Sequence, residues 1–213
     1  MATKHNIRVV PTFEPSVTHF ILETNGQYTT TSAYDVMMAI IRGCWLLDSA
    51  WLSLCADIDD ITTLDLEVFE LAAAPIEHVP KKARENAQQK NPGLFNNCKF
   101  FFAMQAGEVH LVGEVKFTKE SLMKLVTEGG GTVLTREPDA DHIKDNRTLI
   151  PFHIANDLKH PLYKCTHYII YVPGKAQPRR MYNKPYIKSL PLLWLIESIE
   201  RFTLVDPTHL GIL

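Results

Sequence analysis

A chain of 213 residues can hold one large domain or two small ones, and its 46% hydrophobic content excludes wholesale disorder. A formal net charge of −2 excludes a global basic field, so an anionic partner must be met by a local cluster. No apolar run is long enough to span a bilayer and no basic-then-apolar signal opens the chain, so nothing points to a membrane partner.

Residues 7–10 read as a short β-branched strand and 18–22 as the next, with a turn at Asn25-Gly26. Ala33, Met37, Ile40 and Ile41 recur at helical spacing, which predicts a helix over 32–42 closed by Gly43 as a C-cap. The stretch from Gly43 to Cys55 organises this half. Trp45-Leu46-Leu47 is too short for a helix and reads as a strand buried on both faces. Asp48 or Ser49 can cap a following helix, on which Trp51 and Cys55 share a face. Residues 58–74 interleave Asp59, Asp60, Asp65, Glu67 and Glu70 with apolar side chains and fit either a helix or an extended strand. Residues 75–93 are polar and carry Lys81, Lys82, Arg84 and Lys90. They read as a linker whose charges are solvated, with a nuclear-localisation or phosphate-binding patch as the alternative.

A new module opens near Leu94. Residues 98–104 form an apolar strand, and Thr118 caps a helix with Phe117 and Leu122 at staple positions and Leu122, Leu125 and Val126 inward. Gly129-Gly130-Gly131 stops that helix, and 132–134 is the next strand, parallel to the first. A polar insert, 136–157, leads to a strand at 166–172 and a basic loop, 174–186, with Lys175, Arg179, Arg180 and Lys184. A last strand, 187–190, feeds a helix over 191–202, and the tail 205–213 is expected to fray.

The two halves repeat. Thr18-His19-Phe20-Ile21-Leu22 matches Thr166-His167-Tyr168-Ile169-Ile170, and Leu47, Trp51 and Cys55 align with Leu190, Trp194 and Ser198, in the same order and at similar spacing. Cys44, Cys55, Cys98 and Cys165 form no CxxC and read as buried free thiols of a reducing compartment. His19 and His167 read as satisfied strand-end histidines. The glycine triplet follows its helix instead of preceding one, so it is a stop and not a phosphate cradle, and no GxSxG, HExxH or P-loop occurs. These features point away from catalysis and call for no metal or other cofactor.

Thr-His followed by apolar residues, then Arg42-Gly43-Cys44-Trp45-Leu46-Leu47, then Trp51 and Cys55, resembles the BRCT module. The second half narrows this. Leu94-Phe95, Cys98-Lys99-Phe100, Lys124 to Gly131, Thr135-Arg136-Glu137-Pro138, Cys165 to Tyr171 and Phe202-Thr203-Leu204-Val205-Asp206 are similar to the C-terminal BRCT pair of the RING-domain partner of the breast-cancer susceptibility protein. The resemblance implies an α/β fold of two BRCT modules packed in tandem, each a parallel four-stranded sheet flanked by helices, with a first repeat over 1–74, a linker over 75–93 and a second repeat over 94–213. It implies a non-catalytic recognition module of a nuclear ubiquitin-ligase subunit in the DNA-damage response and homologous-recombination repair. The ligase RING and the segments that bind the breast-cancer susceptibility protein lie elsewhere in such proteins.

The implied partners are nucleosomes and ubiquitin carried on histones. In the family an arginine just after the second strand of the second repeat enters the histone acidic patch, and Arg136 stands at the matching place; Asp141, His142 and Lys144, in the same insert, are candidate ubiquitin or histone contacts. Two departures follow. The first module is expected to lack its first strand and most of its first helix, either as a truncated form or with another segment filling the gap. The phosphoserine pocket of BRCT pairs reads as degenerate, because the aligned positions are Ser32, Ala33 and Asp35, and Asp35 repels a phosphate. A phosphoprotein ligand therefore ranks below the histone surface, as does poly(ADP-ribose) or DNA-end binding through the basic loops.

Overall fold

Parallel strands joined by helical crossovers, as the alternating apolar runs predict, make up the computed structural model, which describes residues 4–24, 30–143 and 149–211. The chain divides into two units, Met1–Gln89 and Lys90–Leu213.

In the first unit β1 (His19–Leu22) and β2 (Trp45–Asp48) lie parallel, His19 opposite Trp45 and Leu22 opposite Asp48. Helix α1 (Tyr34–Arg42) connects them and buries Val36 to Ile41. Gly43 ends α1 at φ +64°, as predicted; a Cβ there would lie 2.4 Å from the Ala87 Cβ and 2.7 Å from the Ala83 carbonyl oxygen. Helix α2 (Ala50–Asp57) follows, with Trp51 and Cys55 buried. Asp48, more than Ser49, serves its start: one Asp48 oxygen accepts from the Ala50 amide at 2.7 Å, the other from the Thr24 hydroxyl at 2.5 Å. These bonds hold its carboxyl below the usual range.

Three expectations for this half are corrected. Residues 7–10 form no strand; Ile7 packs on the cluster of Leu47, Trp51 and Cys55 instead of entering a ladder. Residues 58–74 are neither one helix nor one strand. Asp60 and Asp65 accept from the amides two residues on, which caps short 3₁₀ turns at Ile61–Thr63 and Leu66–Val68 and diverts the backbone from either regular form. The segment read as a linker contains helix α3 (Val79–Gln88), which packs on α1 and β2. Of its basic run Lys81, Lys82 and Lys90 are exposed, as expected, and Lys81 pairs with Glu67 at 3.0 Å; Arg84 is the exception, buried, donating to Glu70 at 2.7 and 2.8 Å and stacking 3.9 Å over Trp45. The turn expected at Asn25-Gly26 lies outside the described residues.

The second unit is built on a sheet of β3 (Lys99–Phe102), β6 (Thr132–Val133), β7 (His167–Tyr171), β8 (Asn183–Lys184) and β9 (Ile187–Pro191), in the order β6-β3-β7-β9-β8. The first four are parallel, as expected, and β8 adds an antiparallel edge. A hairpin of β4 (His110–Val112) and β5 (Val115–Phe117), which the sequence did not announce, precedes α4 (Lys119–Glu128). Thr118 and Ser121 form a reciprocal capping box, and Leu122, Leu125 and Val126 are fully buried. Helix α5 (Leu192–Glu200) closes the unit. The tail does not fray at its start: the Trp194 indole N–H donates to the Val205 carbonyl at 2.8 Å, and Leu204, Val205 and Pro207 are buried.

The duplication holds for the strand-to-helix motif and slips in the Thr-His motif. With Trp51 matched to Trp194, Trp45 and Lys188 are equivalent; Trp45 lies opposite His19, but Lys188 lies opposite Tyr168 and not His167. Ring stacking agrees: His19 stacks on Trp51 at 5.9 Å and Tyr168 on Trp194 at 5.3 Å. Thr18 and Thr166 are therefore one position out of step. A slip of one residue exchanges the faces of a strand, so packing of a ring on the tryptophan overrides the literal match of letters.

Candidate functional site

Edge strand β6 gives way at Leu134, whose amide still donates to the Phe100 carbonyl at 2.7 Å, and the chain then leaves the sheet through Thr135, Arg136 and Glu137. Ala140, buried at 3% exposure, and Ile143 pin this insert to the sheet over Ile169 and Ile187. The loop between β7 and β9 returns to the same cluster through Tyr182 and Tyr186. Two segments far apart in sequence are thus drawn together over one face of the sheet.

Their charges interlock. A Glu137 oxygen accepts from the Arg179 amide at 3.0 Å, and Asp141 pairs with Lys184 at 3.8 Å. The Asp139 carboxyl accepts from the Asp141 amide at 3.1 Å and faces His142 Nδ1 at 3.6 Å. That amide bond first, and then the fields of His142 and Arg180, hold Asp139 below the ordinary carboxylate range. Arg136, Arg179, Arg180 and Lys184 are all exposed, and among the described residues Arg136 has no ion-pair partner. A planar, exposed guanidinium is suited to a bidentate acidic partner. Tyr182 and Tyr186 are half-buried against the cluster, so they offer no free faces for stacking bases.

Of the residues singled out by sequence, Arg136, Asp141 and His142 lie in this segment, and Lys144 lies outside the described residues. Sequence reasoning kept the basic loop 174–186 separate; its link to Arg136 runs through backbone and side-chain contacts that no spacing rule reveals. Ser32, Ala33 and Asp35 sit in the first unit at the start of α1, where Ala33 is an N-cap without a side-chain bond and Asp35 is exposed in the first turn. All four cysteines are free and buried, as expected, and burial pushes the Cys44 thiol up to about 11 and the Cys165 thiol up to about 12. His19 and His167 each bond the preceding threonine hydroxyl, at 2.8 and 2.9 Å, and burial lowers the pKa of both. Among the described residues no group of three or more His, Cys, Asp and Glu is placed to hold a metal ion.

No family model matches the chain. It is 29% identical over 196 residues to the human BRCA1-associated RING domain protein 1, an alignment covering 91% of this chain and 22% of that protein. The Arabidopsis thaliana protein of the same name is 30% identical over 155 residues, 70% of this chain and 20% of the relative. The Arabidopsis protein named BREAST CANCER SUSCEPTIBILITY 1 homolog is 24% identical over 157 residues, 73% of this chain and 16% of that protein. The chain therefore spans about a fifth of the length of the curated relatives it matches. Among solved structures, the BRCT5-BRCT6 domains of S. pombe Brc1 superpose with a TM-score of 0.49 at 16% identity, covering 89% of this chain and 79% of that one.

Proposed function

We propose that this chain, a homologue of the BRCA1-associated RING domain proteins over most of its length, is a non-catalytic protein-recognition module of a nuclear DNA-repair factor that docks on nucleosomes through its second unit. Arg136 enters an acidic surface on the histones. Arg179, Arg180 and Lys184 extend the positive face around it, and Asp141, His142 and Lys144 border the contact to ubiquitin or histone. The observation that carries this reading is the convergence of the Arg136 segment and the 174–186 loop on one hydrophobic cluster, with Arg136 exposed and without an ion-pair partner among the described residues. A complementary pair of charged faces sets on-rate and register more than it sets raw affinity.

Two alternatives are weaker. Phosphoserine reading is opposed by the exposed Asp35 at the start of α1. Poly(ADP-ribose) or DNA-end binding would use the same cations, but Tyr182 and Tyr186 are engaged in packing. A pull-down with plain, ubiquitinated and acidic-patch-neutralised nucleosomes beside a phosphopeptide panel tests the choice. Retention on the first two and loss on the third is expected. Tight phosphate-dependent capture of a phosphoserine peptide, or equal retention on all three nucleosomes, would overturn it.

A further inference from the structure

The loop between β7 and β9 is fastened near both ends. At its start Val172 and Ala176 exchange two backbone bonds, each at 2.9 Å. Toward its end the Ser189 amide donates to the Tyr182 carbonyl at 2.8 Å, and the Tyr182 amide donates to the Ser189 hydroxyl at 3.0 Å. Residues 177–181 lie between these points in no regular structure and carry Arg179 and Arg180, both exposed. Among the described residues one hydrogen bond holds this stretch, from the Arg179 amide to the Glu137 carboxylate at 3.0 Å. Glu137 is the next residue after Arg136. That single bond therefore ties the backbone that carries Arg136 to the backbone that carries Arg179 and Arg180.

On charge alone a carboxylate is out of place here. Next to Arg136 it repels an acidic partner, which lowers affinity roughly twofold for an exposed charge. The other carboxylates of the segment face cations: Asp139 lies 3.6 Å from His142 and Asp141 lies 3.8 Å from Lys184. Glu137, half-buried, accepts instead from a neutral amide. Among the described residues neither Arg179 nor Arg180 has an ion-pair partner within 4.0 Å. The bond thus fixes the loop and leaves both guanidinium groups unpaired.

We propose that Glu137 is a positioning residue for docking: as a hydrogen-bond acceptor, and not as a charge, it holds residues 177–181 so that Arg179 and Arg180 meet the same acidic surface as Arg136. This rests on the docking reading above. Without the bond, the stretch between the two fastened ends moves freely, and binding must then order its backbone and two long side chains. The sign of the effect is the useful part. Simple charge repulsion says that removing Glu137 tightens binding, whereas positioning says that it weakens it.

The test titrates the whole chain, as Glu137→Ala and as Glu137→Gln, on intact nucleosomes, and follows hydrogen exchange of the Arg179 amide in the free chain. Glutamine keeps an acceptor oxygen at the same reach and removes the charge. Glu137→Ala should weaken binding about fivefold or more, and Glu137→Gln should stay within about twofold of the native affinity. In the free chain the Arg179 amide should exchange at least about threefold faster with alanine, and more slowly than that with glutamine. Because Glu137 acts through the arginines, Glu137→Ala should cost less than about twofold in a chain that already carries Arg179→Ala and Arg180→Ala. Equal shifts in affinity for alanine and glutamine would make the charge the cause and overturn the proposal. So would an undiminished effect of Glu137→Ala in the doubly substituted chain, or an Arg179 amide that exchanges equally fast in all three proteins. The docking reading fails by a different result, Arg136→Ala leaving nucleosome affinity unchanged while the contrast at the Arg179 amide persists. Glu137 would then still order the loop, and the docking role given to it here would fall.

Discussion

Removing the Glu70 charge should destabilise the first unit well beyond an ordinary surface substitution. Glu70 and Arg84 are both 4% exposed at their side chains and joined by two bonds, from Nε at 2.7 Å and from a terminal nitrogen at 2.8 Å. Breaking a buried pair from one side costs ~3–5 kcal/mol, because the remaining charge is left without its partner. Here Arg84 keeps Gln88 at 2.9 Å and the half-exposed Glu67 at 3.5 Å, so Glu70→Gln should cost ~2–4 kcal/mol. Replacing both residues, as Glu70→Leu with Arg84→Met, should cost ~0–2 kcal/mol, since no charge is then stranded. Urea unfolding followed by tryptophan fluorescence reports this directly, because Arg84 lies 3.9 Å over the Trp45 ring. If Glu70→Gln changed the midpoint by less than the equivalent of ~0.5 kcal/mol, the pair would be solvated and 79–88 would be no fixed part of this unit.

Gly43→Ala should cost more than ~2 kcal/mol, measured by thermal unfolding, since φ +64° disfavours alanine and the added Cβ meets Ala87 at 2.4 Å. Asp48→Asn should cost ~1–2 kcal/mol at pH 7. The Thr24 hydroxyl and then the Ala50 amide lower the Asp48 pKa in the folded state, so this stabilisation is complete above the unfolded value near ~3.9 and disappears as pH falls through the folded one. Urea midpoints of the two proteins should therefore converge in acid. Trp194→Phe removes the bond to the Val205 carbonyl and should cost ~1–2 kcal/mol, with faster hydrogen exchange at Leu204 and Val205.

The regular elements were legible because periodicity and caps report on local chemistry. Thr118 with Ser121, Gly43, and the apolar run into α2 each act within a few residues. What sequence misread depends on partners far along the chain. Arg84 looks like a linker charge until Glu70 and Trp45 enclose it, and Val205 looks like a tail until the Trp194 indole holds it. The repeat was recognised from letters, yet the Thr-His pair slipped by one because stacking on Trp51 and Trp194 selects a ring, and His19 and Tyr168 supply it. At the basic face, Arg136 was found through a family resemblance. Its companions Arg179, Arg180 and Lys184 needed the chain to fold back over Ala140 and Ile143 before they joined it.

The central claim is most directly tested by titrating Arg136→Ala and Arg136→Lys against intact nucleosomes and, in parallel, against free DNA of the same length. A bidentate arginine contact predicts a 10- to 100-fold loss on nucleosomes for alanine, ~1.4–2.8 kcal/mol, and an intermediate loss for lysine. On free DNA the loss should be a few-fold at most. Unchanged nucleosome affinity for Arg136→Ala, or equal losses on both substrates, would contradict the account.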